Sequence, residues 1–193
     1  MQANEILERF KATGALLEGH FVLSSGLHSP NYLQCALVLQ YPSEAEEFGR
    51  AIAERFKDDR IELVAAPAIG GLVIGYEVAR ALNCRFIWTE REGGVMTLRR
   101  GFSVRPGERT LVVEDVLTTG GSTRETIEAL KLSGANVVAA ASIIDRSGGD
   151  ADVGVQRIAL AHLNVPSIDP AHCELCKKGI PAVKPGSRKM STS

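Results

Sequence analysis

The sequence lacks the features that mark membrane and secreted proteins. No stretch of its 193 residues reaches the ~18 consecutive apolar side chains that a membrane-spanning helix requires. Residues 1–5 carry neither the basic flank nor the apolar run of a secretion signal. Four cysteines are too few for a disulfide framework in a chain of this length, so we expect free thiols. These absences predict a cytoplasmic protein that does not contact a membrane.

Charge of one sign does not predominate either. The 22 Lys and Arg nearly balance the 23 Asp and Glu, and the formal net charge of −1 gives no overall attraction to nucleic acid. Aromatic side chains make up only 5% of the residues and do not interleave with basic ones. Nucleic acid is therefore not an expected partner. The local exception is the C-terminal end, which has five basic residues and no acid: Lys177, Lys178, Lys184, Arg188 and Lys189.

The hydrophobic pattern predicts an α/β protein. Hydrophobic residues account for 45% of the chain and charged residues for 23%, as in ordinary globular proteins. Near-continuous apolar strands alternate with amphipathic helices, which indicates a mainly parallel sheet with helices on both faces. Ligands bind such sheets at the carboxyl ends of the strands. The predicted strands are 61–65, 85–89, 110–113 and 137–144, and the predicted helices between them are 71–82 and 123–132.

The most informative segment is residues 111–123, LVVEDVLTTGGST. An apolar strand ends in Glu114 and Asp115, and a turn rich in hydroxyl groups and glycine follows. Ser122 and Glu125 have the spacing of a capping box, which predicts that the next helix begins just after Ser122. The free amides of a first helical turn, together with the hydroxyls, form an anion pocket that glycine lets a phosphate approach closely.

The acidic pair distinguishes this segment from other phosphate loops. A P-loop needs a Lys before its Ser or Thr, and a dinucleotide loop needs G-x-G-x-x-G; neither pattern is present. Carboxylates beside a phosphate would repel it, so Glu114 and Asp115 must face hydroxyls, a Mg²⁺ ion or a developing positive charge. A sugar phosphate offers all of these within one molecule. The alternative is a plain strand–helix turn with a good cap and two solvated acids.

Residues 111–122 resemble the signature of type I phosphoribosyltransferases, which bind 5-phosphoribosyl 1-pyrophosphate (PRPP). The resemblance implies that Glu114 and Asp115 are catalytic, face the ribose hydroxyls and lie near Mg²⁺, which binds through the substrate and not directly to the protein. It implies that these two acids contact PRPP together with a loop that holds its 5′-phosphate, namely Val116, Leu117, Thr118, Thr119, Gly120, Gly121 and Ser122.

The family also implies an architecture and an assembly. We expect the type I phosphoribosyltransferase fold, with a mainly parallel central sheet, helices on both faces and a small N-terminal hood. A single domain would span residues 1–165, with the hood contributed by about residues 1–40. Residues 166–193 would form a Cys- and Lys-rich C-terminal extension. Members of the family are homodimers, so the resemblance implies a second copy of this chain as a partner.

The wider chain resembles the orotate-specific branch of the family. Residues 19–32, GHFVLSSGLHSPNY, are similar to its N-terminal substrate-binding stretch, which implies that Tyr32 lies against the flat base. Residues 143–146, IIDR, are similar to a strand end whose Arg contacts the orotate carboxylate. The resemblance thus implies that Arg146 and Thr118 bind orotate. Charge agrees with this, because a planar guanidinium can bind a carboxylate through two hydrogen bonds.

The expected reaction transfers phosphoribosyl from PRPP to orotate, giving orotidine 5′-monophosphate and pyrophosphate in pyrimidine (UMP) synthesis. Two alternatives stay open. The base could be a purine, in which case Arg146 would be a surface residue paired with Asp145 or Asp150. The chain could also be a regulator that binds nucleic acid with the same fold, which only the basic C-terminal end supports.

A second glycine-rich turn, APAIGGL at residues 66–72, follows a predicted strand. The family binds pyrophosphate there through backbone amides, which suits a turn without bulky side chains. The resemblance assigns this role to Ala68, Ile69, Gly70 and Gly71. Many orotate enzymes carry a Lys at the position of Gly70 and another at that of Ser24, and both cations are missing here.

Residues 89–102 occupy the position of the family's mobile loop. Arg91 lies nearest to the first of that loop's lysines, which implies a catalytic and PRPP-binding role for it. Between Gly93 and Gly107 the charged residues are all basic: Arg99, Arg100 and Arg105. A cationic segment with glycine hinges predicts a lid over an anionic ligand. The alternative is a solvated basic hairpin.

The pair Cys173 and Cys176, with His172 and His162 nearby in sequence, suggests a metal site. A structural zinc site needs four ligands, and the sequence shows no second pair with suitable spacing. Cys35 and Cys84 are too isolated to supply it. Free thiols near the C-terminus are the alternative.

Overall fold

The computed structural model describes residues 1–23 and 25–185. Eight strands and six helices are described, together with a short 3₁₀ turn at Pro170–His172. The strands are β1 (Leu16–Val22), β2 (His28–Leu33), β3 (Leu63–Pro67), β4 (Arg85–Glu92), β5 (Val95–Leu98), β6 (Arg109–Leu117), β7 (Asn136–Asp145) and β8 (Gln156–His162). The helices are α1 (Ala3–Ala12), α2 (Cys35–Leu39), α3 (Pro42–Glu54), α4 (Gly71–Leu82), α5 (Gly121–Leu132) and α6 (Glu174–Lys177).

Six strands form the central sheet in the order β5-β4-β3-β6-β7-β8. All neighbouring pairs are parallel except β4 and β5, which form an antiparallel hairpin. Helices α1, α3 and α4 contribute to the apolar cluster on one face of the sheet, and α5 to the cluster on the other. The predicted α/β fold with a mainly parallel sheet covered on both faces is confirmed.

The central strands are apolar throughout because each of their faces is covered. In β6, Leu111 and Val113 point into the cluster with α4, whereas Val112 points into the cluster with α5. In β3, Val64 points into the cluster with α4, and Ala65 points into the cluster with α5. Successive side chains of a strand point to opposite faces, so a strand buried on both sides needs apolar residues at consecutive positions.

The strand order places a crevice between β3 and β6. From β3 the chain passes through α4 to β4 on one side, while β6 pairs with β3 on the other side. The loops that follow β3 and β6 therefore leave the sheet in opposite directions, and such a switch point is where open α/β sheets bind ligands. The two glycine-rich turns singled out in the sequence are these two loops.

Strands β1 and β2 form a separate antiparallel hairpin, which is the small N-terminal hood. After β8 the chain returns to this hairpin and extends it at both edges. Val183 bridges to Phe21 on β1, and Ile168 bridges to His28 on β2. The domain boundary between residues 165 and 166 stays a prediction, but the residues that follow it, up to residue 185, are held against the hood.

The basic C-terminal end is only partly described. Lys177 forms an ion pair with Glu174 at 2.7 Å, and Arg188 and Lys189 lie outside the described residues. None of the helices within residues 1–23 and 25–185 is long and apolar enough to cross a membrane.

Helices α3 and α4 approach most closely at Gly49. A Cβ atom built there would lie 2.6 Å from the Cβ of Glu77 and 2.8 Å from its carbonyl carbon. We expect Gly49→Ala to lower the free energy of unfolding by about 1–3 kcal/mol, because the helices must separate. This effect is opposite in sign to the gain of about 1 kcal/mol that replacing Gly with Ala normally brings within a helix. Thermal unfolding measures it, with the exposed Arg50→Ala as control; an unchanged or raised Tm would contradict the close approach.

Candidate functional site

The acidic pair lies at the carboxyl end of β6, directly against the loop that follows β3. Glu114 is buried, with 9% of its surface exposed, and Asp115 is half-buried. A Cβ atom on Gly70 would lie 2.8 Å from the Oδ1 atom of Asp115, and one on Gly71 would lie 3.4 Å from the Oε1 atom of Glu114. The two glycine-rich turns therefore meet at these carboxylates, and any side chain at residue 70 would displace one of them.

The environment of the pair disfavours its negative charge. Burial raises the pKa of Glu114 well above its usual range, and the adjacent charge of Asp115 raises it further. Burial also raises the pKa of Asp115, although the amide of Val116 donates a hydrogen bond of 2.8 Å to its Oδ1 atom. No basic side chain among residues 1–23 and 25–185 forms an ion pair with either acid. The pair is thus suited to a ligand that brings hydroxyl groups or positive charge.

The loop after β6 leads into α5 through Gly120, whose φ of 76° lies in the left-handed region that glycine adopts without strain. No side chain caps α5, and the amide of Arg124 donates a hydrogen bond to the carbonyl oxygen of Gly120 at 2.8 Å. The amides of residues 121–123 precede Arg124 and have no helical partner. With the exposed hydroxyls of Thr118 and Thr119 beside them, they form a concave set of donors for an anion.

The predicted capping box is wrong. Helix α5 begins at Gly121, so Ser122 is already a helical residue and its side chain does not cap the helix. Glu125 contacts Arg91 instead, with Nη2 2.5 Å from Oε2, an ion pair without hydrogen-bond alignment. Arg91 also donates a hydrogen bond of 2.6 Å to the carbonyl oxygen of Gly94. In this conformation Arg91 is therefore held on the β4–β5 hairpin and does not join the acidic pair.

The arginines of the cationic stretch 93–107 are paired with acids that lie outside residues 93–107. Arg100 donates a hydrogen bond of 2.6 Å to Glu90, and this bond, with one from Trp88, lowers the pKa of Glu90 to about 2. Arg99 lies 3.3 Å from Glu92, and Arg105 pairs with Glu108 and Glu62. The local excess of positive charge seen in the sequence is thus neutralised by the fold, and the lid stays a prediction.

Arg146 is half-buried directly after β7 and forms no ion pair with an acid among residues 1–23 and 25–185. Its backbone amide donates a hydrogen bond of 2.8 Å to Leu117, the last residue of β6. Its Nε atom is buried and has no hydrogen-bond partner within the described chain. Burial lowers the pKa of its guanidinium, and Tyr32 and Cys35 act against that shift. A buried guanidinium donor without a partner indicates a site for an anionic ligand.

The alternative pairing of Arg146 with Asp145 is wrong. Asp145 forms its ion pair with Arg157 on β8 and accepts a hydrogen bond of 2.7 Å from the amide of Ser147. Asp150 does not pair with Arg146 either within the part of the chain described. The neighbouring acid points along the sheet to β8, which leaves the guanidinium of Arg146 directed toward the hood.

Two residues from the hood end complete this region. The ring of Tyr32 packs 5.7 Å from that of Phe21 and lies beside Arg146. Cys35, at the start of α2, is 3% exposed; burial raises its pKa, and the charges of Asp115 and Glu114 add to that shift. Sequence reasoning dismissed Cys35 as isolated. Its position three residues after Tyr32 was the only local signal of a place near the site.

Comparison with known proteins agrees with this geometry. The family model described as "Phosphoribosyl transferase domain" matches residues 37–154. An orotate phosphoribosyltransferase of Pelotomaculum thermopropionicum is 56% identical over 190 residues, covering 98% of this chain and 100% of that protein. One from Caldicellulosiruptor bescii is 54% identical over 189 residues, with 98% and 100% covered. The crystal structure of orotate phosphoribosyltransferase from Aeropyrum pernix has a TM-score of 0.72 at 30% identity, covering 82% of this chain and 93% of that one.

The acidic pair should make the ligand-free protein less stable as pH rises. Both carboxyl pKa values are higher in the folded state than in the unfolded state, so the native state holds more protons and loses stability as they leave. We expect Glu114→Gln to raise the Tm at pH 8 but not at pH 4. Each pKa unit is worth about 1.4 kcal/mol, and each kcal/mol about 2–4 °C for a chain of this size.

Thermal unfolding of the ligand-free protein between pH 4 and pH 8 measures this difference. The control is Glu128→Gln, which removes an exposed acid from α5 and should give a small effect that does not grow with pH. A Tm difference between wild type and Glu114→Gln that stays constant across the pH range would contradict the raised pKa.

Proposed function

The chain belongs to the phosphoribosyl transferase family, in its orotate phosphoribosyltransferase branch, and we propose that its active site lies between the acidic pair and Arg146. It transfers the phosphoribosyl group of PRPP to orotate, giving orotidine 5′-monophosphate and pyrophosphate in pyrimidine synthesis. The observation that carries the site assignment is the buried, unpartnered Nε atom of Arg146 beside Tyr32.

We place the base against Tyr32, with its carboxylate bound by Arg146. A half-buried guanidinium is costly without an anion, and a carboxylate supplies one with matching planar geometry. Thr118, at the start of the loop after β6, is exposed and within one residue of Leu117, which is hydrogen-bonded to the backbone of Arg146. A purine carries no carboxylate, so it would leave this cation unpaired. The region around Arg146 therefore favours orotate over a purine.

We assign the 5′-phosphate of PRPP to the loop at residues 116–122. The unpaired amides at the start of α5, the helix dipole and the hydroxyls of Thr118 and Thr119 all favour a dianion there. The acidic pair lies on β6 immediately before these residues, where it would face the ribose ring and not the phosphate. Arg91 is held by Glu125, one helical turn into α5, so its contact with PRPP requires a rearrangement of the β4–β5 hairpin.

We assign pyrophosphate to the loop at residues 68–71. Residue 70, where many relatives carry a lysine, is glycine in this chain. A side chain at this position would collide with Asp115 in this conformation. Backbone amides then replace the lysine as donors to the leaving group. The cationic contribution must come from elsewhere, and the arginines of the β4–β5 hairpin are the nearest candidates on the same edge of the sheet.

The reaction is a displacement at the anomeric carbon. The bond between that carbon and pyrophosphate breaks, and positive charge develops on the ribose. A bond to a ring nitrogen of orotate forms, and that nitrogen gives up its proton, for which the departing pyrophosphate is an available base. Glu114 and Asp115 face that charge from a buried position, where electrostatic interactions are strong. Their environment disfavours negative charge in the free protein. A cationic ring compensates that negative charge, so the two acids stabilise the ring most strongly when its positive charge has developed.

The same residues fit a Mg²⁺ ion bound through the substrate. Hard cations prefer oxygen ligands, and two adjacent carboxylates without a basic partner provide a region of negative charge beside the ribose hydroxyls. When bound, Mg²⁺ would neutralise charge on the departing pyrophosphate. The chain's own part is to hold Glu114 and Asp115 in place and to leave room at Gly70 for the ligand.

We also propose that the protein is a cytoplasmic homodimer. Helix α4 and the loop before it expose an apolar stripe of Ile69, Val73 and Tyr76, which are 83%, 46% and 58% exposed. Their spacing of four and three residues puts them on one side of α4, and a second copy of this chain would cover them. The four cysteines are free in the described fold, which suits a reducing compartment.

Base specificity tests the assignment of Arg146. With PRPP and Mg²⁺ present, we expect consumption of orotate and not of uracil, adenine, hypoxanthine or xanthine; uracil is orotate without its carboxylate. Arg146→Ala should raise the KM for orotate by about 10- to 100-fold, because this factor corresponds to the free energy that a hydrogen bond to a charged group contributes. Arg146→Lys should recover part of this loss. The exposed Arg55→Ala is the control, and an unchanged orotate KM in Arg146→Ala would contradict the assignment.

Turnover separates catalysis from binding at the acidic pair. We expect Asp115→Asn to lower kcat by about 10²-fold or more, because the lost charge acts on the developing cation. The dissociation constant for PRPP should change far less, and Glu128→Gln should change neither quantity. Steady-state kinetics and a direct PRPP-binding titration measure the two effects. Equal losses in kcat and in PRPP binding would mean that Asp115 only binds ribose.

A further inference from the structure

A second cluster of chemically active side chains lies outside the proposed active site, where the C-terminal segment meets the hood. His20 and His28 from the hairpin face Cys173 and Cys176 from the chain end, and one ligand atom from each lies within 4.8 Å of all the others. The sequence suggested His162 and His172 as partners of the cysteines, and this is wrong. His162 lies beside Asp145, and His172 is exposed beside Asp169.

The distances within this cluster resemble the edges of a small tetrahedron. The Nε2 atom of His20 lies 3.4 Å from the Sγ atom of Cys173 and 3.7 Å from that of Cys176. The Nδ1 atom of His28 lies 3.3 Å from the Sγ atom of Cys176 and 2.8 Å from the Nε2 atom of His20. Zinc bonds of about 2.0–2.1 Å to nitrogen and about 2.3 Å to sulfur give tetrahedral edges of about 3.3–3.8 Å. Of these four distances, only the nitrogen–nitrogen distance is shorter than this range.

The hydrogen bonds around His20 direct a lone pair into the cluster. Its Nδ1 atom lies 2.7 Å from the carbonyl oxygen of Ile180, which can only accept, so Nδ1 carries the proton. The Nε2 atom is then unprotonated and faces His28, Cys173 and Cys176 together. One lone pair cannot accept well from three groups, whereas a cation at the centre is bound by all four. A backbone carbonyl that orients a histidine in this way is typical of metal sites.

We propose that these four side chains bind a structural zinc ion. Two thiolates balance the two positive charges of Zn²⁺, so the site is neutral overall, which suits the burial of three of its ligands; the fourth, Cys176, is exposed. Cys173, His20 and His28 are 1%, 4% and 9% exposed. Two cysteines and two histidines complete a tetrahedral shell without an open position, so the ion has a structural and not a catalytic role.

The ion would cross-link the two ends of the chain. His20 and Cys173 are separated by 153 residues in the sequence. The bridges from Val183 to Phe21 and from Ile168 to His28 hold the same segments together. A metal bond that closes so long a loop removes conformational freedom from the unfolded chain. Because β2 also carries Tyr32, the ion would fix the hairpin that we assign to the base.

Metal content of the full chain tests the site. We expect protein produced with zinc in the medium, and purified without a polyhistidine tag or chelator, to contain about one zinc per chain. The double variant Cys173→Ser, Cys176→Ser should lose at least about nine-tenths of it. Two matched controls should keep it: His172→Gln, next to Cys173 but facing solvent, and Cys84→Ser, a cysteine outside the cluster.

Wild-type protein gives a second readout that does not depend on the folding of a variant. We expect a chelator to lower the Tm and to release two reactive thiols, and added zinc to reverse both effects. Cobalt in place of zinc should give the visible spectrum of a tetrahedral site with thiolate ligands. Zinc in fewer than about one chain in ten, zinc retained by the double variant, or a Cys173–Cys176 disulfide in freshly purified protein would overturn the proposal. None of these readouts depends on orotate or PRPP.

Discussion

The close approach of two glycines to a buried acidic pair is the constraint on which the rest of the structure depends. Glu114 and Asp115 lie near the carboxyl end of the central strand β6, and Cβ atoms on Gly70 and Gly71 would lie 2.8 Å and 3.4 Å from their carboxylate oxygens. The pair can stay there only because β3 and β6 are neighbours and the loops after them diverge. The glycines leave no side chain between this loop and the acids, which is the space that we assign to a ligand.

Charged groups of opposite sign lie at the ends of neighbouring strands in this region without forming an ion pair among the described residues. Arg146 follows the strand next to β6, yet within the described residues it forms no ion pair with Glu114 or Asp115. Burial shifts the pKa of each group toward its neutral form. Such unsatisfied charges reduce the stability of a fold, and proteins retain them at functional sites. In the function we propose, PRPP and orotate bring the complementary groups, a ring that becomes cationic and a base that carries a carboxylate.

How far the sequence could predict this protein differs between its parts. The two glycine turns and the alternation of strands and helices were correctly predicted because each depends on residues that are adjacent in the chain. The strand predicted to end before Glu114 was too short, since β6 continues through both acids to Leu117. The capping box at Ser122 was wrong because Gly120 starts α5 earlier than its spacing suggests. The excess positive charge of residues 93–107 was misleading, since Glu90, Glu92 and Glu108 from flanking strands neutralise it.

The sequence by itself determined the fold class and the family signature at residues 111–122, because hydrophobic periodicity and a contiguous motif are local properties that need no knowledge of the rest of the chain. Only the tertiary structure decided which distant residues meet. It brought Tyr32 and Cys35 to Arg146, and it brought the hood histidines to Cys173 and Cys176. These contacts join segments more than a hundred residues apart, and the bridges from Ile168 and Val183 to the hairpin hold the chain end against the hood. No spacing rule along the chain contains that information.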